Sequence, residues 1–299
     1  MNRVIIVFNP RSSRFAEVEQ DVLARARELQ GYIIGKYEVA PTNLGDNIKK
    51  LAKVLEDGDL VLSAGGDATG IISANAIIKS GKDATLAVLP YGNFNDLSRT
   101  LRTTQFDDVF KGKTKKLYPL DVIIDGKRWR FATCYVTIGM TAAAVSIYDQ
   151  PKMRQKLKKK FGRKVSSYTD LASWYFKHRK ECILPEFKLN GALMHRKTSD
   201  YAAVNGRSMA RVMKGRDDYR DPKRFRSETD RLTSFYRLAK LMLKSVTVRI
   251  PGSSTSGDVL EFTEPSSVAI QAEGESEVLK NVKRIEIKKG EVCLKVIEN

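Results

Sequence analysis

The stretch Ala64-Gly65-Gly66-Asp67-Ala68-Thr69-Gly70 follows the apolar run Leu60–Ser63 and precedes the helix-patterned segment Ile71–Ile78. A strand that enters a glycine pair and leaves through a helix can hold an anion. Glycines let the backbone approach a phosphate, and the first amides of the helix point toward it. No Gly-Lys-Ser/Thr follows, and the G-x-G-x-x-G spacing is absent, so neither common nucleotide fingerprint is met. Taken alone, Gly65–Gly66 reads as a turn before it reads as a phosphate cradle.

The surrounding pattern strengthens the second reading. Val4–Phe8, Tyr32–Val39, Leu60–Ser63 and Thr85–Leu89 are short apolar, β-branched runs. Between them, Phe15, Val18, Val22, Ala26 and Leu29 recur at helical spacing, as do Ile48, Leu51, Ala52 and Leu55 within Gly45–Leu55. Repeated β-α units predict a parallel sheet covered by helices. The loops NPRSS, APTN, AGGDATG and PYGNFND follow the four strands in turn. In a parallel sheet all four meet at the carboxyl edge, where open α/β folds bind ligands.

From about Lys115 the texture becomes mainly β. Leu117–Asp125, Arg128–Thr137, Pro185–Leu189, Ser199–Val204, Ser245–Ile250, Val259–Phe262, Val268–Ala272, Lys283–Ile287 and Glu291–Val296 read as strands. Helical inserts are expected from Lys152 to about His178 and over roughly Ser227–Leu243, with Arg207–Arg231 as a mobile loop or lid. The fold class is therefore α/β plus mainly β: a three-layer parallel-sheet domain over 1–119, then a β-sandwich over 120–299. The final strand can return to the first domain.

Composition removes several function classes. Three scattered cysteines (Cys134, Cys182, Cys293) without a CxxC pair fit packing thiols better than disulfides or zinc. Two histidines, His178 and His195, with no suggestive neighbourhood, do not assemble a metal site or a Ser-His-Asp triad. No stretch approaches the ~20 apolar residues that span a bilayer, and the first apolar run is too short for a secretory signal. A soluble, intracellular protein is the expectation. The net charge of +18 makes polyanions natural partners: nucleotides, anionic lipid surfaces or nucleic acid. No RNA-binding or helix-turn-helix signature accompanies that charge.

In its loops the sequence resembles the diacylglycerol kinase catalytic domain family, which includes bacterial lipid kinases and sphingosine kinases. The family's G-G-D-G-T corresponds to Gly65-Gly66-Asp67-Ala68-Thr69, and its P-x-G-T-x-N-D-x-A-R to Pro90-Tyr91-Gly92-Asn93-Phe94-Asn95-Asp96-Leu97-Ser98-Arg99. The opening N-P-x-S-G matches Asn9-Pro10-Arg11-Ser12-Ser13, and D-G-E lines up with Glu273-Gly274-Glu275. Leu120-Asp121 resembles the start of the second domain, and Gly162 with Tyr168 a helical motif.

The resemblance implies ATP with Mg²⁺ in a cleft between the two domains, and a lipid hydroxyl as acceptor, diacylglycerol first. It implies nucleotide contacts from Asn9, Pro10, Arg11, Ser12, Thr42, Gly65, Gly66, Asp67, Ala68, Thr69, Gly92, Asn93, Asn95 and Asp96, with Arg99 beside them. Asp67, through water, and Asp96 would face magnesium, and Glu273 or Glu275 would take the hydroxyl proton. Such roles suit phosphoryl transfer, where amides and Mg²⁺ neutralise phosphate charge and a carboxylate aligns the attacking oxygen.

Departures from the family pattern are Ser13, Ala68 in a backbone expected to be left-handed, Asn93, and Glu273 in place of Asp. Ile71 and Ile72 stand where the family places Asn and Glu. They leave open a relative that binds nucleotide and anionic membranes with weak or no turnover. An NAD-kinase-like enzyme is a further alternative, since NAD kinases share the GGD loop. The family's structural-metal motif has no clear counterpart, although Asp217, Asp218 and Asp221 stand in that region. The basic stretch Lys152–Lys164, with Met153, Leu157 and Phe161 every four residues, suggests a helix lying on an anionic membrane. The expected location is the cytoplasm, at the inner face of the membrane. Nucleic acid is a weaker partner, and a homodimer stays open.

Overall fold

The computed structural model describes residues 2–12, 14–40, 43–148, 175–180, 182–211, 213–247 and 252–299. Ser13, Thr42, Gly162, Tyr168 and the Lys152–Lys164 segment lie outside the described residues.

The first sheet has the order β2-β1-β3-β4-β18-β5, built from β1 (Asn2–Phe8), β2 (Tyr32–Glu38), β3 (Leu60–Gly65), β4 (Thr85–Pro90), β5 (Lys113–Leu117) and β18 (Leu294–Glu298). The first four strands and β18 run parallel; β5 closes the edge antiparallel to β18. Side chains alternate across β1. Val4, Ile6 and Phe8 join a core with Val18, Val22 and Leu23 of the first helical segment, which is α1 (Phe15–Val18) running on as a π-helical Glu19–Ala24. Ile5 and Val7 join a second core with Leu51 of α2 (Leu44–Val54) and Ile72, Ala76 and Ile77 of α3 (Asp67–Ser80). Helices on both faces give the expected three layers. Asn43 starts α2 by accepting the Asp46 amide at 2.8 Å. Two short helices, α4 (Asp96–Leu101) and α5 (Asp108–Lys111), follow β4.

Ten antiparallel strands form the second sheet: β6 (Leu120–Ile124), β7 (Lys127–Ala132), β8 (Tyr135–Gly139), β9 (Phe187–Leu189), β10 (Ala192–Leu193), β11 (Asp200–Val204), β14 (Phe225–Asp230), β15 (Ser253–Thr255), β16 (Gly257–Ala272) and β17 (Glu275–Lys289). Apolar residues from β6, β8, β11, β14, β16 and β17 share one core, so the sheet curls around its own interior. A small hairpin, β12 (Ser208–Met209) with β13 (Met213–Lys214), stands apart from it. The predicted fold class is borne out.

Helix α3 is buried all round from Thr69 to Ile77 because it lies between the two cores: Ile72 packs with the first sheet and Ile71 with the second. It ends at Gly81, whose left-handed φ of 68° lets its amide cap the Ile78 carbonyl. Among the described residues no helix is long and apolar enough to cross a membrane.

Several expected boundaries are corrected. The helix placed at Ile71–Ile78 begins at Asp67, so half of the expected loop is helical. Arg128–Thr137 is two strands, broken at Thr133–Cys134. Val259–Phe262 and Val268–Ala272 belong to one strand, β16, whose first register shift, between Glu261 and Ser266, spans Pro265, a residue that cannot donate to a ladder. Over Ser227–Leu243 the chain first forms β14, and only then the helix α7 (Phe235–Thr247), which absorbs the start of the strand expected at Ser245. The segment after Arg207 is folded rather than loop-like: it forms the β12–β13 hairpin, fully buries Tyr219, and then forms β14. The helix α6 (Met140–Tyr148) was not anticipated.

Candidate active site

The Gly-Gly turn is shorter than its sequence suggests. Strand β3 ends at Gly65, Gly66 is extended (φ −92°, ψ −168°), and Asp67 already belongs to α3. No residue from 65 to 70 has positive φ, which corrects the left-handed backbone expected at Ala68. Crowding is what requires the glycines. A Cβ on Gly92 would lie 2.2 Å from the Gly66 Cα, and one on Gly65 would lie 2.4 Å from Thr69 Oγ1. The two loops touch backbone to backbone, and the Tyr91 amide donates to the Gly65 carbonyl at 3.0 Å.

Asp67 joins the starts of two helices. Its carboxylate accepts the amide of Asn95 at 3.0 Å and that of Asp96 at 2.7 Å, at the head of α4. Asn95 is left-handed (φ 58°) and grips Gly92 on both sides: its Oδ1 accepts the Gly92 amide at 2.7 Å, and its Nδ2 donates to the Gly92 carbonyl at 2.8 Å. Burial, then the charges of Asp96 and Glu273, push the Asp67 carboxyl up to about 8.

Asp96 is fully buried. Its oxygens accept Ser208 Oγ at 2.6 Å, the amides of Ala210 and Arg211 at 2.9 Å each, and the Tyr135 hydroxyl at 3.2 Å. Ala210 and Arg211 both have positive φ, so Asp96 holds a strained turn. Both oxygens of this expected magnesium ligand are thus occupied by protein donors.

Glu273 comes from the second sheet. With Gly274 it makes the two-residue turn between β16 and β17, both φ positive (51° and 88°), as a type I′ hairpin turn requires. Its carboxylate enters the break between β7 and β8. There it accepts the amide of Thr133, the amide of Cys134 at 2.5 Å, and the Thr133 hydroxyl at 2.7 and 2.8 Å. Burial, opposed by those hydrogen bonds, lifts it to about 7. Burial also pushes up the Cys134 thiol, with the Glu273 charge adding to it. Glu275 is half-buried at the start of β17.

The opening loop packs on the same group. Asn9 Oδ1 accepts the Arg11 amide at 2.9 Å, Ser12 Oγ donates to the Tyr91 carbonyl at 3.3 Å, and Arg14 donates to the Pro90 carbonyl at 2.6 Å. Pro10 is half-buried, whereas Arg11, Asn93 and Arg99 are exposed, Arg99 donating to the Phe94 carbonyl at 3.0 Å. Ala68 and Thr69 lie in the first turn of α3, Thr69 buried.

Four positions escaped the sequence reading. Asn75 of α3 brackets Phe131 of β7, donating to its carbonyl and accepting its amide, each at 2.9 Å. Thr133, Tyr135 and Ser208 complete the shells around Glu273 and Asp96. Only Asn75 carried a signal, a lone amide in an apolar helix. Asp217 pairs with Arg207, and among the described residues no three His, Cys, Asp or Glu side chains could hold a metal.

A parallel sheet whose Gly-Gly-Asp turn abuts a second glycine loop, joined to a curled antiparallel sheet, defines a class of two-sheet proteins. Over residues 3–130 the chain matches the diacylglycerol kinase catalytic domain, which bears out the resemblance in the loops of the first sheet; Glu273-Gly274-Glu275 lies beyond the matched residues. A diacylglycerol kinase of Staphylococcus epidermidis is 33% identical over 127 residues, 42% of this chain and 36% of that protein. One of Staphylococcus saprophyticus is 30% identical over 131 residues, 43% and 39% respectively. The chain thus spans little more than a third of the length of these relatives. The crystal structure of a diacylglycerol kinase from Bacillus anthracis superposes with a TM-score of 0.67, covering 100% of this chain and 97% of that one. At 18% identity the likeness establishes the fold.

Proposed function

We propose that the protein is an ATP-dependent lipid kinase that transfers the γ-phosphoryl group to a lipid hydroxyl, diacylglycerol first, giving phosphatidic acid. The observation that carries this reading is the approach of Gly92 to Gly66 beside Asp67, with Glu273 within electrostatic reach from the other sheet. Two bare backbone turns can admit phosphate oxygens where side chains would exclude them. The α/β part, 1–119, would hold the nucleotide, and the β part, 120–299, the lipid, at the cytoplasmic face of a membrane.

Each residue's part follows from its surroundings. The first amides of α3 orient the phosphates, and Asn9 with Ser12 lines the opening. Asn95 fixes the second glycine loop, and Asp96 locks the turn behind it. Glu273, whose carboxyl burial lifts to about 7, would in its ionised form take the hydroxyl proton as the oxygen attacks the γ-phosphorus and the bond to the departing ADP breaks. Magnesium fits this arrangement: Asp67 is crowded by two other carboxylates, which favours a cation there. A single carboxylate with phosphate oxygens is a common magnesium environment. Bound at Asp67, directly or through water, the ion would neutralise phosphate charge.

Labelled ATP with Mg²⁺ and a lipid panel, run beside NAD as a soluble acceptor, tests the reading. Labelled phosphatidic acid, abolished by Asp67→Asn, is expected. Labelled NAD phosphate, or vesicle binding with no labelled product, would overturn it.

A further inference from the structure

We propose a second anion site, remote from the glycine loops, that takes a small phosphate-bearing anion of two or more charges. An open cavity of about 270 Å³ lies at the β5 edge of the first sheet, lined by Arg102, Lys111, Lys113, Lys115, Arg220 and Glu298. Five cationic side chains face one side-chain carboxylate there, with Gly112 and Asn299 completing the lining. Glu298 is buried and already engaged, pairing with Arg220 and, at 3.4 Å, with Arg207. Asp217, the other acid near Arg102, is bonded to Arg207. Among the described residues Lys111, Lys113 and Lys115 form no ion pair. Like charges in such excess over counter-charge repel, and a polyanion would relieve them.

Edge-strand lysines commonly block sheet-to-sheet pairing, and that accounts for Lys113 and Lys115 alone. It does not account for Arg102, which reaches the same cavity from the end of α4; Arg220, from the turn before β14, is held there by Glu298. Arg102 is the more telling. It caps α4 with φ 59°, a conformation in which glycine or asparagine costs least, yet a long cation stands there. Phosphate is the chemistry that guanidinium and ammonium groups share as a partner. The site also has a route to the active-site region, since α4 begins at Asp96 and ends beside Arg102.

Amide mapping by NMR with inorganic pyrophosphate tests the site, because the moving residues report where the anion sits. Saturable shifts at Arg102, Gly112 and Lys113, weakening with added salt, are expected. Arg102→Gly should lower the affinity about tenfold. That variant relieves a left-handed backbone, so it should fold at least as well as the parent, and lost binding cannot be ascribed to misfolding. No saturable shift at these amides, or unchanged affinity in Arg102→Gly, would overturn the site. Pelleting with phosphatidylcholine vesicles, with and without phosphatidic acid, separates the sources among supporting outcomes. Retention that needs both phosphatidic acid and Arg102 assigns a lipid headgroup; pyrophosphate binding without it assigns a soluble phosphate compound.

Discussion

Gly92 stands so close to Gly66 that a Cβ on it would lie 2.2 Å from the Gly66 Cα and 2.8 Å from Asn95 Oδ1. Neither obstacle is a flexible chain end, since one is backbone and the other is held by the Gly92 amide. Gly92→Ala should therefore part the two loops, costing about 1–3 kcal/mol in stability. Nucleotide affinity should fall more than stability, since the loops are the proposed phosphate walls. Urea unfolding and nucleotide titration of the same variant check both. Unchanged nucleotide affinity would remove the carrying observation.

Asp96 is predicted to act through position. Asp96→Asn leaves one acceptor oxygen where four donors converge, and the left-handed pair Ala210–Arg211 loses its anchor. A destabilisation of about 3 kcal/mol is expected. Hydrogen exchange should show opening at Ser208–Arg211 before the Gly65–Gly66 turn. Wild-type stability with lost magnesium dependence would instead identify Asp96 as a ligand.

Glu273 gives the reaction a pH signature. As the proposed base it must be ionised, so kcat/KM should rise with pH and level off above about 7. Stability moves oppositely. A carboxyl raised from 4.5 to about 7 in the folded state binds protons more tightly there than when unfolded. Its stabilising contribution is full below 4.5 and is lost as pH rises through about 7. Melting curves across that window should slope downward for wild type and less steeply for Glu273→Gln, with Asp67, Asp200 and Glu228, all raised by burial, keeping the remaining slope; the variant should also lack turnover. Glu275→Gln should retain most of its activity.

These residues also show what could be read before the structure. The strands and loops of the first sheet were legible because short β-branched runs alternate with helical periodicity. The class of the second part was legible from its turns. Individual boundaries failed where tertiary context decides. Thr133–Cys134 looks like strand until a carboxylate 140 positions away binds its amides. Asp67-Ala68-Thr69-Gly70 looks like loop until it is seen to open a helix buried between two cores. The hold of Asp96 on Ala210 and Arg211 leaves no trace in local pattern, because neither residue type favours a left-handed turn.

The alanine at position 68 provides a direct check on one correction. Were its backbone left-handed, glycine there would relieve strain and improve the protein. In the first turn of α3, Ala68→Gly should instead lose about 0.5–1 kcal/mol, with no gain in turnover. Ile72→Glu, which restores the family's acidic residue, should fare worse. Ile72 is 3% exposed within the first core, and a carboxylate there would be buried without a partner. Thermal melting of the two variants distinguishes a packing role from a lost functional group.

Asn75 binds the sheets to each other, and its removal should separate stability from chemistry. Its side chain meets both the amide and the carbonyl of Phe131, each at 2.9 Å, about two turns along α3 from Asp67 and on the strand that leads to Thr133. Asn75→Leu keeps the volume but leaves a buried amide and carbonyl unpaired, at about 2–4 kcal/mol. With β7 released, the Thr133–Cys134 break that holds Glu273 should shift. The expected result is a lowered Tm and a reduced kcat with nucleotide affinity nearly intact, since the glycine loops belong to the other sheet. A variant whose nucleotide affinity falls as far as its kcat would show that the two sheets form one rigid site, not two faces joined by α3.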